Sequence, residues 1–177
     1  RKLRRKPGKT NQATLKNYKN FSSKKYITKL ISSLPCRSSE ERVTYRGLSV
    51  LVTMPCWNEE GKVGPGVKAV PKSLVDTVCV VDNGSKDNTA AEAEKAGAFV
   101  IRHPINLGAG GGIRSGLEYG RQNKYDLLAV LAGDNQDDPN DLYKAIDKLI
   151  DENLDYIQGS RWLKDGKREN MTISRTI

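Results

Sequence analysis

Apolar runs that each end in a cluster of glycine, amide or carboxylate residues constrain this chain more than any other feature. Leu48–Met54 is β-branched and stops at Pro55, where a chain leaves a sheet. Val75–Asp82 is a second strand, closed by the turn signal Asn83-Gly84. Asn88 to Gly97, rich in Ala and Glu, reads as a helix with Gly97 as its stop. Phe99–Arg102 is a short strand, followed by a loop and a helix from about Gly112 to Arg121. Tyr125–Ala132 is another apolar run, and Asp155–Gly159 reads as a last strand. Between them, Pro139–Asn153 places Leu142, Tyr143, Ile146, Leu149 and Ile150 at helical spacing, with Pro139 suited to the first turn. Such alternation predicts an α/β fold, a mainly parallel sheet with helices on both faces.

At 177 residues and 37% apolar content the chain can fill one core. It holds no apolar run near the ~20 residues of a membrane helix, and its basic start lacks the apolar stretch of a secretory signal. Charge divides the chain sharply. Residues 1–47 carry 14 Lys/Arg against 2 Asp/Glu, whereas residues 48–177 carry 16 against 19. The chain therefore reads as a basic N-terminal arm (1–47), a folded domain (48–163) and the start of a further region (164–177). An arm of this sign attracts anionic lipid or nucleic acid, or is a solvated tail. Its apolar residues between Tyr18 and Leu34 fit an amphipathic helix and favour docking at a surface. Cys36, Cys56 and Cys79 form no CxxC pair, which suggests neither a disulfide framework nor a zinc site and favours a reducing compartment. His103, the sole histidine, precedes Pro104 and reads as a loop residue.

In a parallel sheet, ligands sit beyond the carboxyl ends of the strands. The polar and glycine residues of the folded part concentrate there. Asp134-Asn135-Gln136 offers carboxylate and amide oxygens, which suit Mg²⁺ or Mn²⁺, or else forms an Asx turn leading to the next helix. Asp82-Asn83-Gly84-Ser85 puts a carboxylate at a strand tip, where it can accept a nucleobase N–H, although such turns are common. Asn106 to Arg114, with four glycines in five residues, invites a phosphate-loop reading but matches neither GxGxxG nor a Walker loop. The alternative there is a flexible loop allowing close packing. Gly159-Ser160-Arg161 adds a guanidinium suited to phosphate oxygens, or a surface ion pair.

Pro55-Cys56-Trp57-Asn58-Glu59-Glu60, Asp82-Asn83-Gly84-Ser85, Asn106 through Gly116, Gly133-Asp134-Asn135-Gln136 and Gly159-Ser160-Arg161 occur in an order that resembles the family 2 glycosyltransferases, in particular their dolichyl-phosphate mannosyltransferase-like branch. The resemblance covers about residues 48–163. It implies a GT-A fold, a Rossmann-like sheet binding a nucleotide-diphosphate sugar with a divalent metal. Residue by residue, it implies that Pro55, Asn58 and Glu59 line the nucleotide pocket and that Asp82 contacts the base. Gly108, Gly110 and Arg114 match the glycine segment and its arginine. Asp134 and Gln136 match metal-side positions, and Ser160 and Arg161 match the segment near sugar and phosphates. Asp134 and Arg161 are the residues it ties to the chemistry. Ala132 stands where relatives carry the first DxD acid, so metal affinity should be weaker in the absence of nucleotide, and Ala109 stands where a lysine is often found, which removes one positive charge near the donor.

The implied activity is inverting, metal-dependent transfer of a sugar from a UDP- or GDP-sugar to a lipid-phosphate or glycan acceptor. The expected place is the cytoplasmic face of a membrane, with the charge of residues 1–47 holding the chain at an anionic surface. The start without Met and the end soon after the GSR segment suggest the donor-binding half of a longer protein. Two other readings are weaker. A sugar nucleotidyltransferase would place a basic glycine-rich signature where Pro55–Glu60 stands. Nucleic-acid binding by the basic arm has no recognition motif to support it, and the folded part is acidic. A degenerate donor-binding domain without activity is a further possibility.

Overall fold

A computed structural model describes residues 24–35, 42 and 44–160. Contacts divide the chain into two units, one reaching to Pro139 and one starting at Asn140. In the first unit, strands β2 (Leu48–Cys56), β3 (Thr77–Asp82), β4 (Phe99–Arg102) and β5 (Leu127–Val130) form a parallel sheet in the order β5-β2-β3-β4. A two-residue strand, β1 (Thr44–Tyr45), pairs antiparallel with the start of β2. The expected parallel sheet is therefore present. Its order reverses between β5 and β2, so the carboxyl ends of β2, β3 and β5 flank a crevice of the kind in which such sheets bind ligands.

Helices cover both faces, as alternation along β2 shows. Thr53 and Pro55 face α4 (Gly108–Gln122), while Met54, on the other face, lies near Gly66 of α2 (Val63–Ala69). Helix α3 (Thr89–Lys95) packs beside β4 and α2. On the α4 face, Leu51, Cys79, Val81, Ile101, Tyr119 and Tyr125 form a core with Ile27 and Ile31 of α1 (Lys24–Ser32). Ile27 and Ile31 of the basic arm are thus part of the domain core, and the domain extends N-terminally past residue 48. Tyr18 and Phe21 lie outside the described residues.

Several expectations need correction. Strand β2 does not stop at Pro55. Thr53 O accepts from Leu131 N at 3.0 Å, so the nitrogen of Pro55, two residues on, points to the β5 side. The pairing with β5 ends at Thr53↔Val130, so no ladder bond is lost and proline is tolerated. The glycine run is not a loop before a helix that starts at Gly112, because α4 begins at Gly108. Gly108, Gly112, Gly116 and Gly120 recur every four residues, on one helical face. A Cβ on Gly112 would stand 2.9 Å from Pro55 Cβ, one on Gly116 would overlap Thr53, and one on Gly120 would overlap Leu128. Close packing accounts for these three. Gly108 itself has φ +76°, which favours glycine.

Helix α2 escapes a reading by propensity because its first residues are Val-Gly-Pro-Gly. Pro65 sits in the first turn, where no N–H is required, and a Cβ on Gly64 would come within 2.6 Å of Glu92 Oε1. In the second unit, α5 (Asp141–Asp151) matches the expected amphipathic helix, with Leu142 and Ile146 buried. Asp155–Gly159 forms no strand. Its polar side chains are exposed, as is Tyr156, and no described segment pairs with it.

The glycine face yields a direct test. Gly116→Ala should destabilise the domain by about 1–3 kcal/mol or more, because the buried Thr53 side chain that the new Cβ would overlap cannot yield. Gly110, in the same helix with open space around it, should tolerate alanine with a gain of less than about 1 kcal/mol. Urea unfolding of the two variants measures the contrast.

Candidate active site

The ends of β2 and β3 lie side by side, with Cys56 in register with Asp82. Their following turns are stitched together. Asn83 N donates to Cys56 O at 2.9 Å, Asn58 N to Ser85 Oγ at 2.9 Å, and Lys86 N to Asn58 Oδ1 at 2.9 Å. Asn58 holds φ +55°, a conformation that asparagine accepts more readily than most residues. Glu59 N donates to Thr89 Oγ1 at 2.8 Å, and Glu60 N to Asp87 Oδ2 at 3.2 Å. The carboxylate of Glu59 pairs with Lys62 at 2.9 Å. Asp82 is buried, and its Oδ1 accepts from Ser85 N at 2.9 Å.

The end of β4 joins through His103, which is buried. Its Nδ1 lies 2.9 Å from Asn83 Oδ1 and its Nε2 2.8 Å from Ser115 Oγ on α4. Asn83 Nδ2 donates to Asn106 Oδ1 at 3.0 Å and to Gly108 O at 2.9 Å. The amide of Asn83 therefore fixes the turn into α4. Burial lowers the pKa of His103 from its ordinary 6.5, against a smaller opposing pull from Asp82.

At the end of β5, Asp134 is half-buried and its Oδ1 accepts from Gln136 N at 3.2 Å, which is the Asx turn weighed above. Ala132 N donates to Asp137 Oδ2 at 2.8 Å, and Asn135, with φ +61°, donates through Nδ2 to Lys62 O at 3.0 Å. A Cβ on Gly133 would overlap Cys56 Sγ, so β5's end presses on β2's end. The Cys56 thiol reports the local field. Burial first, then the carboxylates of Glu59, Asp82 and Asp134, push it up to about 12. Carboxylates from the turns after β2, β3 and β5 thus all act on this thiol, one of them paired with Lys62.

That donor set fits a hard divalent cation in part. The oxygens of Asp134 and Gln136 are the right chemistry for Mg²⁺ or Mn²⁺. Among the described residues, however, no group of three metal-ligating side chains is assembled, so further oxygens would have to come from a ligand.

The structure thus brings Pro55, Asn58, Glu59, Asp82, Gly108 and Asp134 to one edge, with Gly110 exposed in the first turn of α4 and Gln136 exposed in the turn after β5. It does not bring Arg114 there. Two residues beyond Gly112, Arg114 points about 200° around the helix. It lines a cavity of about 240 Å³ with Ile27, Thr28 and Glu118 beside α1. Ser160 is exposed in the second unit, and Arg161 lies outside the described residues. Reading by motif passes over His103 and includes Asn83 and Asn106 without giving either a role, although the three hold the edge together. It gives no role to Trp57 either, which is 53% exposed beside Asn58. The available signals were a lone histidine directly after a strand and a large aromatic left on a polar strand end.

The model of the family described as glycosyl transferase family 2 matches residues 51–177. The chain is 26% identical over 145 residues to the UDP-N-acetylglucosamine–dolichyl-phosphate N-acetylglucosaminyltransferase of Methanococcus voltae, covering 72% of this chain and 58% of that protein. It is 30% identical over 144 residues to the dodecaprenyl-phosphate galacturonate synthase of Rhizobium johnstonii, covering 75% and 40%. Glucosyl-3-phosphoglycerate synthase from Mycobacterium tuberculosis, solved with Mn²⁺, UDP-glucose and phosphoglyceric acid, superposes with a TM-score of 0.51. At 23% identity over 66% of this chain and 44% of that one, it shares the fold. The chain spans about half the length of the curated relatives it matches.

Burial of neutral His103 makes stability depend on pH. The unfolded chain takes up the proton first, so this contribution is complete above the ordinary value of 6.5. It falls away as pH drops below that value toward the lower folded one. Tm measured from pH 7.5 to 5.5 should decline, and His103→Asn should flatten that decline.

Proposed function

The chain belongs to glycosyl transferase family 2, and from that premise we propose that its carboxyl edge binds a nucleotide-diphosphate sugar, UDP- or GDP-linked, for inverting transfer to a lipid-phosphate acceptor. The observation that carries this reading is that the turns after β2, β3 and β5 bring Asn58, Glu59, Asp82 and Asp134 to the edge where the strand order reverses. An anionic diphosphate meets repulsion at such a place unless a cation accompanies it.

Asp82 has a second carboxylate oxygen besides the one held by Ser85, and it suits a nucleobase N–H. Trp57 offers an exposed flat surface for stacking on a base. Asp134 and Gln136 would hold Mg²⁺ or Mn²⁺, and Asn58 and Glu59 shape the turn beside them. When bound, such a cation supplies Lewis-acid neutralisation of the diphosphate. Ser160 and Arg161 are assigned to the phosphates through the motif alone. A lipid phosphate is already an anionic nucleophile, so attack on the anomeric carbon from the face opposite the diphosphate needs no strong base. Relatives named for dolichyl-phosphate and dodecaprenyl-phosphate support that acceptor class.

No helix among the described residues is long and apolar enough to cross a membrane. We assign contact with an anionic membrane surface, at the cytoplasmic face, to the basic N-terminal segment. Residues 1–23 hold 8 Lys/Arg and no acid, and Lys25 and Lys29 of α1 are exposed.

A thermal-shift panel of UDP, GDP, CDP and ADP with Mn²⁺ should single out one nucleotide. At ~100 times its Kd the gain is ~2.7 kcal/mol. EDTA should abolish the shift, as should Asp134→Ala and Asp82→Ala without loss of cooperative melting. Absence of any shift in a cooperatively melting protein would refute the donor reading. For the membrane, removal of residues 1–23 should lower co-sedimentation with phosphatidylglycerol vesicles at least tenfold. Unchanged binding would sink that assignment. The cut stops at residue 23 because α1 belongs to the core.

A further inference from the structure

The hydrogen atoms around His103 can be assigned from their neighbours. Asn83 Nδ2 faces two acceptors, Asn106 Oδ1 and Gly108 O, so the opposite side of the amide is the oxygen. That oxygen accepts from Leu107 N at 2.9 Å and stands 2.9 Å from His103 Nδ1. An amide oxygen only accepts, so His103 carries its proton on Nδ1, and in the neutral ring Nε2 accepts from the Ser115 hydroxyl. All four hydrogen-bonding positions of the Asn83 side chain are thereby filled.

We propose that His103 is a positioning residue for the donor site, acting through Asn83. Its Nδ1–H locks the amide in one orientation, and the amide sets the Asn106–Gly108 turn against the tip of β3. The backbone of the same residues extends the link. His103 N donates to Asp82 O and Asn83 N donates to Cys56 O, both at 2.9 Å. The two turns also touch directly. Gly84, at φ +75°, passes so close to Ile105 that a Cβ would stand 2.7 Å from its carbonyl carbon. Rotation of the Asn83 amide would therefore disturb the Asp82–Ser85 turn and the start of α4 together. Ser115 anchors the ring from the far side and takes no part in orienting the amide. The consequence for nucleotide binding rests on the function proposed above, whereas the tautomer and the turn do not.

Two substitutions separate the ring's two bonds. The amide nitrogen of His103→Asn takes the place of Nδ1 and retains the bond to Asn83, losing Ser115. The amide of His103→Gln reaches toward Ser115 and loses Asn83. Because His103 is the sole histidine, ¹⁵N-histidine labelling of the whole chain gives one pair of ring signals, and the neutral Nδ1–H tautomer is expected. An Nε2–H tautomer would overturn the proposal. Leu107 N–H exchange should accelerate roughly tenfold in His103→Gln and stay within about threefold of wild type in His103→Asn. UDP and GDP, each with Mn²⁺, serve as probes for affinity. The nucleotide that binds wild type should bind His103→Gln roughly tenfold more weakly and His103→Asn within about threefold. Equal weakening in both variants, in step with their Tm, would reduce His103 to a stability role. Failure of both nucleotides to bind wild type would overturn the donor reading and this residue's function in it, while the tautomer and Leu107 exchange still decide whether His103 sets the turn.

Discussion

Everything at the candidate site depends on how closely α4 lies on β2. Three glycines four residues apart face Pro55, Thr53 and Leu128, and at none of them is there room for a Cβ. This close approach leaves the Thr53 hydroxyl buried without a hydrogen-bond partner, a local destabilisation that the packing around it must offset. In return, α4 starts directly beside the tip of β3, within reach of Asn83 and His103. The outer face of α4 is left for α1, whose Ile27 and Ile31 complete the core. A helix set further from the sheet would part Asn83 from the turn that it holds.

The two ends of the sheet use acids in different ways. At the amino end, Asp126 accepts from both the backbone N–H and the hydroxyl of Ser49, at 2.8 and 2.7 Å, which hold its carboxyl below the usual carboxylate range. Asp76 accepts from Val50 N at 2.6 Å. These acids fix the register of β2 against its neighbours. At the carboxyl end, Asp82 and Asp134 each accept a backbone bond within their own turn. Glu59, beside them, is paired with Lys62 at 2.9 Å. Acids at the amino end thus tie strands together, whereas those at the carboxyl end hold turns.

Much of this arrangement was legible in the residues. The strands, the helix after Asn88 and the amphipathic helix after Pro139 follow from periodicity and turn chemistry, and the placement of polar residues beyond strand ends picks out the right edge. Other features were not legible, for physical reasons. Pro55 stays in its strand because its nitrogen faces the side that β5 has already left, a fact of register. Gly112 and Gly116 are glycines inside a helix because a neighbour excludes a side chain, and a lone sequence does not reveal that neighbour. His103 reads as a loop residue until Asn83 and Ser115, at sequence separations of 20 and 12, close around it. Arg114 joins a motif by spacing but leaves the site by helical phase.

The most direct test of the central claim, that the carboxyl edge is a diphosphate site completed by a cation, is paramagnetic broadening by Mn²⁺ in ¹⁵N spectra, with and without UDP or GDP. With the binding nucleotide present, amides of residues 56–60, 82–87 and 132–138 should broaden selectively, and Mn²⁺ alone should have little effect. Equal broadening without nucleotide, or broadening centred on the cavity between α1 and α4, would contradict it.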